Sequence, residues 1–95
     1  MLDELTQIIE ARKGNPQPGS YTSQLFSEGE DAILKKVGEE AMEVILAAKG
    51  QGNQRLVEEV ADLFYHTLVL LSLKGLSLAD IEAELSRRHS RKNAP

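Results

Sequence analysis

Two pairs of carboxylates, each spaced three residues apart, are the side chains of this sequence best suited to chemistry. Glu40 and Glu43 form one pair, and Glu59 and Asp62 form the other. Residues three apart are neighbours on one flank of a helix. If the two helices pack together, four carboxylates meet at their seam, where like charges repel strongly in a partly dry cleft. Such a cluster needs a cation, and carboxylate oxygens suit Mg²⁺ or Mn²⁺ better than Zn²⁺.

The helices that must position these acids are predicted from apolar residues at helical spacing. Read at about 100° per residue, each segment gathers its apolar residues on one side, and the acids lie on the flank of that side. The first apolar side consists of Ile33, Val37, Ala41, Val44, Ile45 and Ala48, and the second of Leu56, Val60, Leu63 and Phe64. Acids that border an apolar seam are unusual, because charged side chains mostly point to water.

A solvated surface is the competing interpretation of these acids. Glu39, Glu40 and Glu43 taken alone are typical of an exposed helix face. A second pair in an apolar context favours a metal site, because Asp62 is a poor helix-interior residue and an acid placed there suggests a ligand role. His66 follows on the same stripe. A lone His on a helix flank is commonly a hydrogen-bonded residue of a partial core, and the alternative is a role behind the metal ligands or against a substrate.

Basic residues near the acids point to a phosphate ester or phosphoanhydride as substrate. A carboxylate-bound metal neutralises phosphate charge and activates water, and Lys or Arg side chains hold the remaining oxygens. The available cations, each with a solvated surface position as its alternative, are Lys35, Lys36, Lys49, Arg87 and Arg88. The chain has no cysteine, no Gly-Lys-Ser/Thr phosphate loop and no recognisable Ser/His/Asp constellation, which argues against covalent catalysis.

Composition predicts one small domain over residues 1–95 that works in the cytoplasm. The hydrophobic fraction is 41% and the aromatic fraction only 4%, with no Trp, which favours an aliphatic helical core and argues against stacking platforms for single-stranded nucleic acid. The net charge of −4 makes duplex DNA and anionic membranes unexpected partners. The start Met1-Leu2-Asp3-Glu4 is not that of a signal peptide, and the apolar run Val60 to Leu73 is too short for a membrane span.

The predicted fold is all-α, with four to five helices around a long antiparallel hairpin. Helices are expected at about residues 1–12, 28–49, 54–74 and 77–88, and a loop rich in Pro and Gly at 13–20. The segment 20–26 is predicted to hold a short helical turn. Its hydroxyl-rich start either caps that turn or binds phosphate. Residues 93–95 are expected to fray.

Helix starts are predicted from capping residues. Ser27 and Glu30 have the spacing of a capping box at the start of the second helix. Asn53 is expected to cap the third helix and Ser77 the fourth.

Two further features of the helices suggest close neighbours. Gly38 lies inside the second helix, where Gly costs about 1 kcal/mol relative to Ala, so we expect a ligand or another helix to approach it closely. The segment Leu68 to Leu73 is apolar nearly all round, whereas a helix of a small bundle should be apolar on one stripe. This predicts a subunit interface and therefore a homodimer.

Three segments in order resemble the all-α nucleoside triphosphate pyrophosphohydrolases of the MazG-like superfamily, and most closely their phosphoribosyl-ATP pyrophosphatase family. They are residues 19–26 (GSYTSQLF), 36–43 (KVGEEAME) and 59–66 (EVADLFYH). The likeness extends from about Leu5 to Arg88. It implies a Mg²⁺-dependent dimer of helical subunits. It also implies hydrolysis of N1-(5-phosphoribosyl)-ATP to N1-(5-phosphoribosyl)-AMP and pyrophosphate, the second step of histidine biosynthesis.

The resemblance also assigns roles by position. It implies that the metal ligands are Glu40, Glu43, Glu59 and Asp62. Glu39 would be an outer carboxylate that orients water and completes the catalytic set. The implied substrate contacts are Tyr21, Thr22, Lys36, Lys49 and His66.

Partners and alternatives follow from the same resemblance. In some organisms this activity is fused to a zinc-dependent cyclohydrolase, for which a Cys-free chain of 95 residues has no room. We therefore expect the single-function form, with a separate phosphoribosyl-AMP cyclohydrolase as a transient partner. A house-cleaning pyrophosphohydrolase acting on other nucleoside triphosphates shares the metal motif and is one alternative. A non-catalytic helical dimer with a solvated acidic face is the other.

Overall fold

A computed structural model describes residues 1–91, which form five α-helices. In chain order they are α1 (Leu2–Gly14), α2 (Tyr21–Glu28), α3 (Glu30–Gly50), α4 (Asn53–Leu73) and α5 (Leu78–His89). The all-α prediction is confirmed, and no strand occurs among these residues. No helix in this range is long and apolar enough to cross a membrane. The fraying expected at 93–95 lies outside the described residues.

The two longest helices, α3 and α4, form the hairpin that the sequence predicts. Each has 21 residues, so each is about 30 Å long at 1.5 Å per residue. Only Gln51 and Gly52 separate them, and such a short connection makes the helices antiparallel neighbours. Gly52 has a φ of 89°, a left-handed conformation that residues with a Cβ rarely adopt. The packing of α3 against α4 is the most extensive between any two elements of the described chain.

The hydrophobic core lies at the end of the hairpin away from this connection. Its buried residues are Ile9 of α1, Leu25 of α2, Ile33 of α3, and Leu68 and Val69 of α4. Thus α1 packs against α4 and α2, and α2 packs against α3. Helices α1 and α2 thus cover the open end of the hairpin, and the acids lie in its uncovered middle part.

A polar contact fixes α1 to the last turn of α4. Ser72 is buried and its hydroxyl donates a hydrogen bond to Glu10. Lys13 donates from Nζ to the backbone carbonyl of Ser72 at 2.7 Å. The hydrogen bond from Ser72 lowers the pKa of Glu10 below its ordinary value, and burial opposes this shift more weakly.

The capping predictions have mixed outcomes. Ser20 caps α2 by accepting a hydrogen bond from the Ser23 backbone N–H at 3.1 Å, and α2 is a full helix of 8 residues where the sequence predicts one turn. Ser77 caps α5, and Asp80 accepts from the Ser77 backbone N–H at 2.9 Å, as a capping box requires.

Two other helix starts differ from prediction because glycine precedes each helix. The capping box expected at Ser27 is wrong, since α3 begins at Glu30 after Gly29 and has no side-chain cap. The cap expected at Asn53 is also wrong, since Asn53 is the first residue of α4 and Gly52 holds the cap position. Gly29 has a φ of 99°, so a sharp glycine turn sets each helix start and no serine or asparagine side chain reaches the free N–H groups.

Gly38 has no close neighbour in the described chain, whereas the apolar segment of α4 packs against α1 and α2. A Cβ built on Gly38 meets nothing within 4 Å, so the expectation that another helix approaches it is wrong within the described chain. The segment Leu68 to Leu73 is buried or half-buried in its own chain, where α1 and α2 complete the core around it. This burial accounts for part of its apolarity within one chain, and the interface inferred from the segment stays a prediction.

An apolar groove of about 370 Å³ lies between α5 and the rest of the chain. Its walls are Leu2 of α1, the α4 residues Leu63, Phe64, Thr67, Leu68 and Leu71, and the α5 residues Leu78, Ile81 and Leu85. The three α5 residues recur at helical spacing and so lie on one side of that helix. Ile81 and Leu85 stay largely exposed, so α5 covers the groove only partly.

Candidate functional site

Three of the four predicted metal ligands come together in the middle of the hairpin. Glu40 of α3 and Glu59 and Asp62 of α4 each offer a carboxylate oxygen, and these oxygens lie within 4.8 Å of one another. They line an open cleft of about 540 Å³. Glu43 also lines this cleft, although its carboxylate lies outside the compact group of three.

The hairpin explains this juxtaposition. Glu40 and Asp62 lie at nearly equal distances along the chain from the two-residue connection, so antiparallel packing places them level with each other. Glu59 precedes Asp62 by three residues and lies on the same flank of α4. The packing of the apolar sides of α3 and α4 therefore sets the register of the two helices, and the acids lie on the flank of this packed surface.

Glu59 is the most buried of the acids, with 3% of its surface exposed. Burial raises the pKa of Glu59, and the neighbouring charges of Glu40, Asp62 and Glu43 raise it further, whereas the Arg55 guanidinium opposes the rise. An acid held against like charges in this way is characteristic of functional sites.

Arg55 is a site residue that sequence reasoning missed. Its Nη2 lies 2.9 Å from Oε1 of Glu59, and its Nη1 lies 3.3 Å from the carboxylate of Glu58. Its spacing of four residues before Glu59 was the available signal, since such pairs meet on a helix. The sequence alone does not distinguish this pair from the many that decorate solvated helices.

Lys36 lies at the other side of the cleft. Its Nζ is 3.9 Å from both Glu39 and Glu40, so it brings a positive charge to the carboxylates. The side chain of Glu40 is largely buried and that of Glu39 is about half exposed. Glu40 thus faces the other acids and Glu39 faces solvent at the rim. Met42 also lines the cleft and is the exposed apolar part of its wall.

Four polar or aromatic side chains join α2 to α4 next to the acids. The Tyr21 hydroxyl lies 2.9 Å from His66 Nε2, and the Thr22 hydroxyl is hydrogen-bonded to the Tyr65 hydroxyl. The rings of Tyr21 and Tyr65 stack at a centroid distance of 6.1 Å. Sequence reasoning had not assigned Tyr65 a role, because its partner lies 43 residues away along the chain.

The hydrogen bonds of His66 define its tautomer. His66 is 5% exposed, and its Nδ1 lies 2.8 Å from the backbone carbonyl of Asp62. A carbonyl only accepts, so Nδ1 carries the proton, and in the neutral ring Nε2 accepts from the Tyr21 hydroxyl. Both ring nitrogens are therefore engaged within the protein, which agrees with the interpretation of His66 as a hydrogen-bonded residue of a partial core.

Tyr21 is the largely exposed member of this group, although it is not among the residues that line the cleft. Burial and the neighbouring Tyr65 raise the pKa of its hydroxyl, and the charges of Glu40, Glu28 and Asp62 add smaller contributions. The carboxylates of the cleft thus act on this hydroxyl through their negative charge. The residue as a whole is 46% exposed.

The remaining predicted cations lie elsewhere. Lys49 lies in the last turn of α3 and is not among the residues that line the cleft. Arg87 and Arg88 pair with Glu84 of their own helix. Lys35 is exposed on α3. The structure thus brings Lys36 to the acids but none of these four.

Comparison with known proteins identifies relatives over nearly the whole chain. The model of the family described as phosphoribosyl-ATP pyrophosphohydrolase matches residues 2–89. A phosphoribosyl-ATP pyrophosphatase of Listeria welshimeri is 56% identical over 91 residues, which are 96% of this chain and 87% of the relative. The protein of that name from Clostridium acetobutylicum is 52% identical, with 96% and 83% covered. That from Limosilactobacillus fermentum is 55% identical, with 92% and 82% covered.

Proposed function

The chain belongs to the phosphoribosyl-ATP pyrophosphohydrolase family, and we propose that it hydrolyses phosphoribosyl-ATP to phosphoribosyl-AMP and pyrophosphate in histidine biosynthesis. The observation that carries the proposal is the meeting of Glu40, Glu59 and Asp62 from two helices in one open cleft. Such a cleft accepts a phosphate chain only with a cation between the two sets of negative charge.

The residues present fit a hard divalent cation, and Mg²⁺ is the one proposed. The donors are carboxylate oxygens only, the ligands that Mg²⁺ prefers. Opposite ligands of Mg²⁺ are about 4.2 Å apart, twice its ligand distance of about 2.1 Å, and the three oxygens lie within 4.8 Å of one another. Glu43 at the edge of the cleft would be the fourth ligand. A bound Mg²⁺ supplies charge neutralisation for the phosphates and acidifies a bound water.

The other side chains of the cleft have roles that follow from their positions. Lys36 lies 3.9 Å from Glu40, close enough to hold a phosphate oxygen next to the carboxylates. Glu39 at the exposed rim orients the attacking water. Arg55 neutralises part of the charge of Glu59 while the acids lack a cation. Once that charge is compensated, Arg55 is able to bind the phosphates of the substrate or the departing pyrophosphate.

Among the other predicted substrate contacts, Tyr21 is half exposed and its hydroxyl is affected by the charges of Glu40 and Asp62, although it is not among the residues that line the cleft. Thr22 and His66 are buried and hydrogen-bonded within the protein. Lys49 stays a prediction, since it lies outside the lining of the cleft.

The proposed enzyme is a homodimer. Four large apolar side chains on the hairpin, Met42, Ile45, Val57 and Phe64, are each more than half exposed. Gly38, open to solvent on α3, is a point where a partner helix can approach closely. A second copy of the chain would cover these residues. Light scattering at micromolar concentration tests this. A dimer that dissociates in Val57→Glu is expected, and a monomeric wild type would refute the proposal.

The product of the proposed reaction is the substrate of a phosphoribosyl-AMP cyclohydrolase, so a transient contact with that separate enzyme and a cytoplasmic location remain parts of the proposal.

Pyrophosphate release from phosphoribosyl-ATP with Mg²⁺, beside a panel of ordinary nucleoside triphosphates, tests the activity. We expect release from phosphoribosyl-ATP, and we expect Glu59→Gln and Asp62→Asn to abolish it. Glu58→Gln is the matched control, because Glu58 is the neighbouring exposed acid on α4 that does not line the cleft. Release from the panel alone would assign the chain to general triphosphate hydrolysis. Near-normal activity of Glu59→Gln would refute the metal assignment.

A further inference from the structure

The contact of α2 with α4 beside the cleft depends on two hydrogen bonds. One joins Tyr21 to His66 and the other joins Thr22 to Tyr65. Thr22 and His66 are buried, and His66 uses both ring nitrogens within the protein. The polar atoms of His66 are thus committed to internal partners, and those of Thr22 and Tyr65 to each other. We call these four side chains the α2–α4 latch.

Tyr21 is the member of the latch that presents an aromatic ring to solvent. Its hydroxyl is hydrogen-bonded to Nε2 of His66, and its ring stacks on the ring of Tyr65 with an angle of 29° between the planes. The ring of His66 meets that of Tyr65 edge-on at 4.9 Å. These contacts fix the orientation of the Tyr21 ring, and nearly half of the residue remains exposed.

We infer that the Tyr21 ring is the contact surface for the purine base of the substrate, and that Thr22, Tyr65 and His66 are positioning residues that hold this ring beside the carboxylate cleft. This inference rests on the proposed function, since it concerns the nucleotide whose phosphates the acids are proposed to bind. It gives a single adenine-containing ligand two anchoring points, the acids for its phosphates and Tyr21 for its base.

The physical argument is pre-organisation. An exposed aromatic ring stacks on any base, and one such contact changes affinity roughly five- to a hundredfold. A ring that has to be immobilised on binding loses part of this gain, roughly two- to tenfold for one side chain. The hydrogen bond from Tyr21 to buried His66 removes that loss before the nucleotide arrives.

Steady-state kinetics of pyrophosphate release, with tripolyphosphate as a competing inhibitor that has phosphates but no base, tests the inference. Tyr21→Leu should raise KM for phosphoribosyl-ATP roughly five- to a hundredfold while kcat changes far less. His66→Phe should raise KM roughly two- to tenfold, and His66→Gln, which restores an acceptor for Tyr21, should recover most of this change. The inhibition constant of tripolyphosphate should stay the same in all three variants.

Ser72→Ala is the matched control, because it also removes a buried hydrogen bond between α4 and a flanking helix, but at the far end of α4. It should lower stability and leave KM unchanged. The inference is overturned if Tyr21→Leu leaves KM unchanged, or if it raises the inhibition constant of tripolyphosphate as much as it raises KM. It is also overturned if Ser72→Ala raises KM as much as His66→Phe does. A wild type that releases no pyrophosphate refutes the proposed function instead. Calorimetric binding of AMP to wild type and Tyr21→Leu then decides the base contact by itself, since equal affinities would overturn it.

Discussion

Truncation of Leu25 to Ala should damage both stability and substrate binding, because Leu25 is the buried residue that anchors α2 to the core. Leu25 is 2% exposed, and three carbon atoms are removed. At about 0.8 kcal/mol for each buried methylene, the lost transfer free energy is about 2.4 kcal/mol. The cavity that remains increases the cost to about 3–4 kcal/mol, within the observed range for buried Leu→Ala changes.

This loss is large but tolerable for a chain of 95 residues, whose expected stability is roughly 5–14 kcal/mol. The variant should unfold at a temperature lower by about 12–32 °C, at roughly 4–8 °C for each kcal/mol. In the molecules that remain folded, α2 is held less firmly. Since α2 carries Tyr21 and Thr22, KM for phosphoribosyl-ATP should rise at temperatures where the protein is fully folded.

Ile9→Ala is the matched control for this experiment. Ile9 is 1% exposed, belongs to the same core cluster and also loses three carbon atoms, but it lies on α1, which carries none of the proposed site residues. Urea denaturation should give similar losses for both variants, and only Leu25→Ala should change KM. An unchanged KM for Leu25→Ala, or an equal rise in KM for Ile9→Ala, would contradict the link between the packing of α2 against the core and substrate binding.

Two further predictions concern charge. In the presence of a chelator, Glu59→Gln should unfold at a temperature equal to or above that of the wild type. The reason is that burial raises the pKa of Glu59, so the folded protein disfavours its charged form. A clear loss of thermal stability would show instead that the ion pair of Glu59 with Arg55 dominates. The hydrogen bond from Ser72 lowers the pKa of Glu10 below its ordinary value of 4.5, so its contribution to stability is fully present above pH 4.5 and is lost as the pH falls through the lower folded-state value. Urea denaturation across this range should therefore show a smaller loss of stability on acidification in Ser72→Ala than in the wild type, and parallel curves would refute the assignment.

The sequence predicts the hairpin and the acids because both depend on local periodicity. Apolar residues at helical spacing define α3 and α4, and a two-residue connection leaves them one way to pack. Once the register is set, the side of each helix that carries Glu40 or Asp62 is determined. The side chains that depend on contacts distant in sequence were harder to predict. Tyr65 meets Thr22, 43 residues away, and no pattern within either segment indicates this pair.

The errors at the helix starts have one physical cause. Ser27 and Asn53 have the residue types of good caps, but Gly29 and Gly52 adopt positive φ angles immediately before the helices. The chain turns at these glycines, and a capping side chain has no access to the first turn. The burial of the segment Leu68 to Leu73 within its own chain is a further feature that the sequence pattern does not predict. Its all-round apolarity is satisfied by α1 and α2 of the same chain, a tertiary arrangement that single-helix amphipathicity does not contain.

The two tyrosines of the chain, Tyr21 and Tyr65, lie together in the α2–α4 latch, and the chain has no tryptophan. The intrinsic near-ultraviolet absorption and emission of this protein therefore originate almost wholly at one place, next to the carboxylate cleft. Most proteins need an attached label to give an optical signal from a chosen site. Here the near-ultraviolet circular dichroism of the unmodified chain reports directly on how α2 is seated, and a titration with nucleotide or metal can be followed in the same spectrum.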